Sequence, residues 1–185
     1  MTSPKLPIAP KKPNPWKEAV QTVLLSLLLA GGTRQVLAEP RYIPSESMLP
    51  TLAVNDRLLI EKVSYCFHTP KRGDMVVFNP PAALEQQQMK DALIKRVIGL
   101  PGETVEVKSG KVYINQNPIV EPYIKDKPNY EMAAIVVPEN QYLVLGDNRN
   151  NSYDSHYWGF VPQEKIIGRA MVRTWPIDRI GNLGQ

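Results

Sequence analysis

Two serines, Ser45 and Ser47, lie two residues apart between Pro44 and Pro50. Proline fixes φ and biases the preceding residue towards extended backbone, so we expect this stretch to be stiff and extended. Residues i and i+2 of an extended segment share a face, so the two hydroxyls can point the same way. One hydroxyl could attack an acyl carbon while the other donates a hydrogen bond to the developing oxyanion. The alternative is an ordinary turn built from serine and proline.

A serine hydroxyl is a weak nucleophile unless a base accepts its proton, and Lys95 is the candidate base. Burial among apolar groups can lower the pKa of a lysine from about 10.4 to near 7. On a strand, Lys95 would share a face with Leu93 and Val97, whereas Arg96 would point the opposite way. Arg96 cannot be the base, because a guanidinium stays protonated. The alternative is that Lys95 lies at an exposed sheet edge, where lysine opposes aggregation.

A third stretch, residues 146–162, is dense in glycine, asparagine, aspartate and serine. Such side chains bond to the neighbouring backbone and hold irregular loops in one shape, and functional residues often lie on such loops. Trp158 and Phe160 indicate that its far end packs into the core. The alternative is an ordinary surface loop.

Composition excludes several classes of site. The chain has 185 residues, a net charge of +4 and no basic run interleaved with aromatic residues, which argues against nucleic acid as a partner. The single Cys66 excludes an intrachain disulfide, and neither His68 nor His156 has the spacing of a zinc site. No metal or other cofactor is expected.

The N-terminal part divides into a basic, proline-rich tail, residues 1–17, which we expect to be disordered, and an apolar segment, residues 18–38. Three interpretations compete for the apolar segment: a single membrane-spanning helix, a cleavable signal peptide, or a buried or interfacial amphipathic helix. Pro40 weakens the signal-peptide interpretation, because it constrains the backbone just after the small-residue ending at Ala38. If the segment is an anchor, its basic flank predicts a cytoplasmic N-terminus, with residues 39–185 on the trans side of the membrane.

From residue 39 onward the pattern is one of short strands and turns, and eighteen prolines argue against a mainly helical protein. The fold class is therefore predicted to be mainly β, with mixed, barrel-like sheets. Residues 82–91 are expected to form a loop or a short helix, and the sequence assigns them no function. We expect strands at Arg57–Val63, Met75–Phe78, Ala92–Leu100, Thr104–Lys108, Lys111–Asn115, Tyr142–Leu145 and Ile166–Trp175.

These stretches, in this order, resemble type I signal peptidases (peptidase family S26), the Ser/Lys proteases that remove signal peptides from exported proteins. The resemblance extends from Arg41 to about Arg173, and the family also carries an N-terminal membrane anchor. Four motifs in order are far more specific than any one of them. The motifs are Ser45–Thr51, Arg72–Phe78, Lys95–Glu103 and Gly146–Gly159.

The resemblance implies a role for each matching residue of the reaction. Ser47 would be the nucleophile and Lys95 the general base. The hydroxyl of Ser45 and the backbone N–H of Ser47 would bind the oxyanion. Ser152 matches the family serine that holds the lysine amine in place.

The same resemblance assigns supporting roles within residues 146–162. Asp154 matches the acidic residue that supports this loop, and Asp147 and Arg149 belong to the same structural motif. Two positions depart from the commonest pattern: Asn150 stands where aspartate is frequent, and His156 stands where arginine is frequent. His156 would be a weaker and pH-dependent partner for Asp154.

The implied substrates are signal peptides of exported preproteins with Ala-x-Ala endings, cleaved at the surface of membrane lipid. The peptide would pair as an added strand along residues 43–47, with its side chains alternating into shallow pockets. The residues expected to line these pockets are Ile43, Pro44, Met48, Leu52 and Ile94.

Two other functions fit parts of the pattern. A Ser/Lys autoprotease of the repressor type shares the dyad, but it usually carries a DNA-binding domain, which nothing in the N-terminal part resembles. A non-enzymatic, membrane-tethered β domain could bind peptides by strand addition. The combination of Ser47 with a desolvated Lys95 speaks against that second alternative.

Overall fold

The computed structural model describes residues 16–26 and 38–184 of the chain. The chain separates into two compact units, residues 1–36 and residues 37–185. In the first unit, the described residues form one exposed helix, α1, over residues 16–26. Residues 1–15 of the predicted tail and residues 27–37 of the predicted apolar segment lie outside the described residues. Within the described ranges, no helix is both long enough and apolar enough to cross a membrane.

The second unit is mainly β, which confirms that part of the predicted fold class. Its helices have only four residues each: α2 (Ser64–Phe67), α3 (Ala82–Glu85) and α4 (Ser155–Trp158). Its strands are β1 (Ala38–Tyr42), β2 (Arg57–Glu61), β3 (Met75–Phe78), β4 (Leu93–Gly99), β5 (Thr104–Lys108), β6 (Lys111–Ile114), β7 (Asn117–Pro118), β8 (Met132–Val136), β9 (Gln141–Leu145), β10 (Val161–Pro162), β11 (Ile166–Trp175) and β12 (Gly181–Asn182).

Among the described residues, the strands form two sheets. The larger has the order β1-β2-β11-β3-β4-β9-β10, with β12 paired to β11, and the smaller has the order β7-β6-β5-β8. Every pairing is antiparallel, so the expectation of mixed sheets was wrong. Parallel neighbours need long crossover connections, usually helices, whereas the helices between these strands are single turns.

Several predicted strands have the bounds that their patterns indicated. β3, β5 and β11 have the predicted residue ranges, and β5 pairs with β6 across a turn at Ser109 and Gly110. Both turn residues have positive φ, 49° and 70°, as a two-residue hairpin turn of this kind requires. The strands that were not predicted are β1, β7, β8, β10 and β12.

The centre of the larger sheet is buried on both faces. In β3, Met75 and Val77 pack into one hydrophobic cluster, and Val76 and Phe78 pack into another on the opposite face. This double burial explains why β3 is a continuous apolar run rather than an alternating one. β4 lies beside β3, with Lys95 directly opposite Val76. The two strands therefore hold Lys95 in a buried, apolar part of the sheet.

Candidate active site

The Lys95 amine lies 2.6 Å from the hydroxyl oxygen of Ser47. Lys95 is 4% exposed and Ser47 is 8% exposed, so the pair is almost sealed from solvent. Lys95 belongs to β4, where Leu93 and Val97 pack with Val76 in one hydrophobic cluster. The sheet thus brings together two side chains that are 48 residues apart in sequence.

Burial lowers the pKa of Lys95 from its ordinary value of 10.5 to about 8. Loss of hydration disfavours the charged amine, and this effect exceeds the opposing attraction of the Asp154 and Asp147 carboxylates. A lysine with a pKa of about 8 is partly neutral near physiological pH. It can therefore accept a proton from the adjacent hydroxyl, which an ordinary lysine cannot do.

The hydroxyl oxygens of Ser45 and Ser47 are 3.3 Å apart, so the two serines do point the same way. The backbone is not extended throughout, however, because a turn begins at Glu46 and contains Ser47. The N–H of Leu49 donates to the Glu46 carbonyl, and the N–H of Leu52 donates to the Met48 carbonyl. The prediction of an extended segment was therefore wrong from Glu46 onward, where hydrogen bonds within the turn replace strand pairing.

The polar loop 146–152 packs directly against the serine segment. The N–H of Asn148 donates to the carbonyl of Ser47 at 3.1 Å, and its side-chain amide donates to the carbonyl of Glu46 at 3.2 Å. Ser152 lines the same cleft as Lys95, but its buried hydroxyl has no hydrogen-bond partner among the described residues. The hydrogen bond to the lysine amine that the resemblance implies is thus not formed in this structure.

Gly146 lies where the loop and the serine segment approach most closely. A Cβ at this position would lie 2.4 Å from the carbonyl oxygen of Ser47 and 2.3 Å from the hydroxyl oxygen of Ser152. Both distances are far below van der Waals contact, and one of the atoms is backbone that cannot rotate away. Only glycine therefore fits between the two segments.

Replacing Gly146 with alanine should displace the Ser47 backbone and lower both stability and cleavage. Overpacking of this kind costs about 1–3 kcal/mol, and displacement of a nucleophile by about 1 Å costs about 100-fold in rate. Thermal unfolding and kcat/KM for peptide cleavage would measure the two effects. Gly181→Ala is the matched control, because the nearest atom to its added Cβ is 3.9 Å away. Equal behaviour of the two variants would contradict the packing argument.

Asp154 orders the far side of the loop. Its carboxylate accepts the N–H of Gly146 at 2.8 Å and caps the N-terminus of α4. The Nδ1 atom of His156 lies 2.8 Å from the same carboxylate, and the imidazole stacks on Tyr130 with ring centroids 4.1 Å apart. His156 therefore occupies the partner position that the sequence suggested.

Two buried ion pairs hold the first part of the loop, at Asp147 and Arg149. The guanidinium of Arg96 donates two hydrogen bonds to Asp147, at 2.8 and 2.6 Å. The guanidinium of Arg149 donates two to Glu121, at 2.8 and 2.5 Å. Bidentate pairs of this kind hold geometry, and breaking one would leave a charge buried without a partner. Asn150 also holds the loop in place, because its side-chain amide donates to the carbonyl of Lys127 at 3.0 Å.

Two clefts meet at Ser47 and Lys95. The first, which we call the strand groove, has a volume of about 500 Å³ and runs between β1 with residues 43–45 and the start of β4. The second, the loop cleft, has a volume of about 530 Å³ and is formed by residues 45–47, 129–130, 149–153 and 156–157, together with Met89, Leu93 and Lys95. A peptide lying across both clefts would have one peptide bond beside the Ser47 hydroxyl.

Of the five residues expected to line substrate pockets, three line a cleft and two do not. Ile43, Pro44 and Ile94 line the strand groove. Met48 and Leu52 are fully buried in the hydrophobic core, and neither lines either cleft. The turn that begins at Glu46 directs their side chains inward, so they support the serine segment from the side of the hydrophobic core.

Several lining residues were missed by the sequence analysis. Met89, in the segment 82–91 to which the sequence assigned no function, lines both clefts, and its only sequence signal was an apolar residue within a glutamine-rich stretch. Tyr130 lines the loop cleft, and Glu121 lines neither cleft but pairs with Arg149. Neither residue lies in a motif. Among the described residues, no three His, Cys, Asp or Glu side chains are grouped closely enough to hold a metal ion.

Comparisons with known proteins place residues 16–175 within the family model described as signal peptidase, peptidase S26. The chain is 57% identical over 187 residues to signal peptidase I of Leptolyngbya laminosa, covering 99% of this chain and 92% of that protein. It is 57% identical over 170 residues to the probable signal peptidase I-2 of Synechocystis sp., covering 92% of this chain and 78% of that protein. A crystal structure of a signal peptidase I from Enterococcus faecalis shares 34% identity with a TM-score of 0.47, covering 56% of this chain and 98% of that one.

Proposed function

The chain belongs to the signal peptidase family, peptidase S26, and we propose that Ser47 and Lys95 perform its cleavage reaction. It is a serine endopeptidase of the signal peptidase I class, which acts on the signal peptides of exported preproteins. The observation that carries the assignment of the dyad is the 2.6 Å separation of the Lys95 amine and the Ser47 hydroxyl in a buried position.

The reaction begins when neutral Lys95 accepts the proton of Ser47 and the hydroxyl oxygen attacks the scissile carbonyl carbon. The carbonyl oxygen becomes an oxyanion, which accepts hydrogen bonds from the hydroxyl of Ser45 and the backbone N–H of Ser47. Protonated Lys95 then transfers its proton to the leaving nitrogen, and the carbon–nitrogen bond breaks. Water hydrolyses the resulting ester, with Lys95 accepting and returning a proton once more.

The strand groove is the proposed site for the signal-peptide half of the substrate. Its lining by Ile43, Ala92 and Ile94 suits small apolar side chains. Among the strands of the described residues, β1 pairs only with β2, which leaves its other edge for an extended peptide to add. Pockets of this kind would favour substrates with Ala-x-Ala endings.

Residues 18–38 are the proposed anchor, with the N-terminus in the cytoplasm and residues 39–185 on the trans side. The support for this topology is the apolar composition of that segment and the lysines that precede it. Membrane lipid would then be the surface at which preproteins are met.

Replacing Ser45 with alanine tests the proposed oxyanion site. Removing one preorganised donor costs about 10² to 10³ in kcat in comparable sites. We expect that loss on an Ala-x-Ala signal peptide in detergent, with the released fragment identified by N-terminal sequencing. Ser45→Thr keeps a hydroxyl and should retain more of the rate. Full activity of the alanine variant would exclude Ser45 from oxyanion binding, and no cleavage by the unmodified chain would contradict the proposed reaction.

A further inference from the structure

The loop cleft contains one carboxylate that no described cation neutralises. The titratable side chains that line the loop cleft are Glu46, Lys95, Arg149 and His156. Arg149 is neutralised by its two hydrogen bonds to Glu121, and Lys95 must be neutral to act as the proposed base. The exposed carboxylate of Glu46 accepts a hydrogen bond only from the Asn151 amide, at 3.4 Å, and forms no ion pair within the described part of the chain.

His156 does not offset this charge, because it faces a different carboxylate. Its Nδ1 atom lies 2.8 Å from Asp154, and its ring is covered by Tyr130 on one side and by Tyr157 on another. The imidazole is paired with the buried Asp154 carboxylate directly beside it. The lining of the loop cleft therefore has a local excess of negative charge, which is located at Glu46.

Two exposed tyrosines, Tyr153 and Tyr157, line the same cleft. The ring centroids of Tyr153 and Tyr157 are 5.3 Å apart, and the side chains are 42% and 65% exposed. The hydroxyl of Tyr153 donates to the side chain of Gln87 at 3.1 Å, which orients that ring. Aromatic faces attract lysine and arginine side chains, so the rings and the carboxylate favour the same kind of ligand.

The occupant of the loop cleft follows from the direction of the substrate, and this step rests on the proposed function. With the signal-peptide half in the apolar strand groove, the residues after the scissile bond must leave through the loop cleft. We propose that Glu46, with Tyr153 and Tyr157, forms a subsite for a cationic side chain, and that it favours substrates with lysine or arginine among the first residues after the cleavage site.

The expected preference is moderate, because the carboxylate is exposed. A single solvent-exposed ion pair contributes little, but exchanging lysine for glutamate changes attraction into repulsion. We expect kcat/KM to differ about threefold to tenfold between the two at the best position. Salt screens exposed charges, so the preference should shrink at 1 M ionic strength, where the Debye length is about 3 Å.

The test uses peptides with one common Ala-x-Ala half and Lys, Gln or Glu at each of the first three positions after the cleavage site. The full chain in detergent should cleave the Lys peptide faster than the Glu peptide at one or more of these positions. Glu46→Gln should remove the preference and Glu46→Lys should reverse it. Tyr153→Leu and Tyr157→Leu should weaken it without reversal. Glu164→Gln, which removes the same charge from an exposed position outside both clefts, should leave it unchanged.

Each rate is divided by that of the Gln peptide on the same variant, so a general loss of activity or folding cancels. Equal rates for Lys and Glu peptides at all three positions would overturn the subsite. So would a preference that persists in Glu46→Lys, since the charge would then come from elsewhere. Cleavage of the Gln peptide in those cases would leave the proposed function standing, whereas no cleavage of any peptide by the unmodified chain would overturn both.

Discussion

Ser47→Ala should reduce signal-peptide cleavage to background, with a loss on the order of 10⁶-fold in kcat by comparison with other serine proteases that lose their nucleophile. The buried Lys95 would then have no hydroxyl to deprotonate, since the amine lies 2.6 Å from the oxygen that the substitution removes. Binding of the substrate uses the two clefts rather than this oxygen. KM should therefore change much less than kcat.

The measurement is single-turnover cleavage of an Ala-x-Ala peptide in detergent, with thermal unfolding to show that the variant is folded. Ser64→Ala is a suitable control, because Ser64 lines neither the strand groove nor the loop cleft. Activity of Ser47→Ala within tenfold of the unmodified chain would exclude Ser47 as the nucleophile. The neighbouring Ser45 would then be the next hydroxyl to test.

Lys95→Arg should abolish cleavage at every pH, and the unmodified chain should lose activity as the pH falls below about 8. Only the neutral amine can accept the Ser47 proton, and the pKa of Lys95 is lowered by burial to about 8. Below that pH, kcat/KM should fall about tenfold per pH unit, since the neutral fraction of Lys95 falls by that factor. An arginine keeps the positive charge but cannot be deprotonated in this range.

The pH profile of kcat/KM from pH 5 to 10, for both chains, measures this directly. Lys165→Arg is the matched control, because that lysine pairs with Glu85 on the surface and lines neither cleft. Its acid limb should coincide with that of the unmodified chain. An active Lys95→Arg variant with an unaltered acid limb would place the base elsewhere, and His156 would be the next group to test.

The sequence carried most of the information about where the reactive groups lie. The Ser45–Ser47 spacing predicted hydroxyls on one face, and the apolar residues around Lys95 predicted a desolvated amine. Both features are local, because they depend on the two-residue period of a strand and on the immediate neighbours of one side chain. The hairpin at Ser109–Gly110 was predictable for the same reason.

Other features depend on contacts between distant parts of the chain. Arg96 pairs with Asp147, 51 residues away, and no local pattern indicates that partner. Met48 and Leu52 were expected in substrate pockets, but the turn that begins at Glu46 buries them. β1 was missed because its charged residues and Pro40 are not typical of a strand. Proline is tolerated there because β1 is an edge strand of the larger sheet.

The burial of Lys95 also has a thermodynamic cost for the folded state. In the unfolded chain the lysine binds its proton up to a pH of about 10.5, whereas in the folded chain it releases the proton near pH 8. By linkage, this difference destabilises the folded state by about 3 kcal/mol at neutral pH. The cost is fully present below pH 8 and is relieved as the pH rises towards 10.5. The folded protein is therefore less stable than it would be with a lysine of ordinary pKa at this position. The difference is a substantial part of the folding free energy of a typical domain.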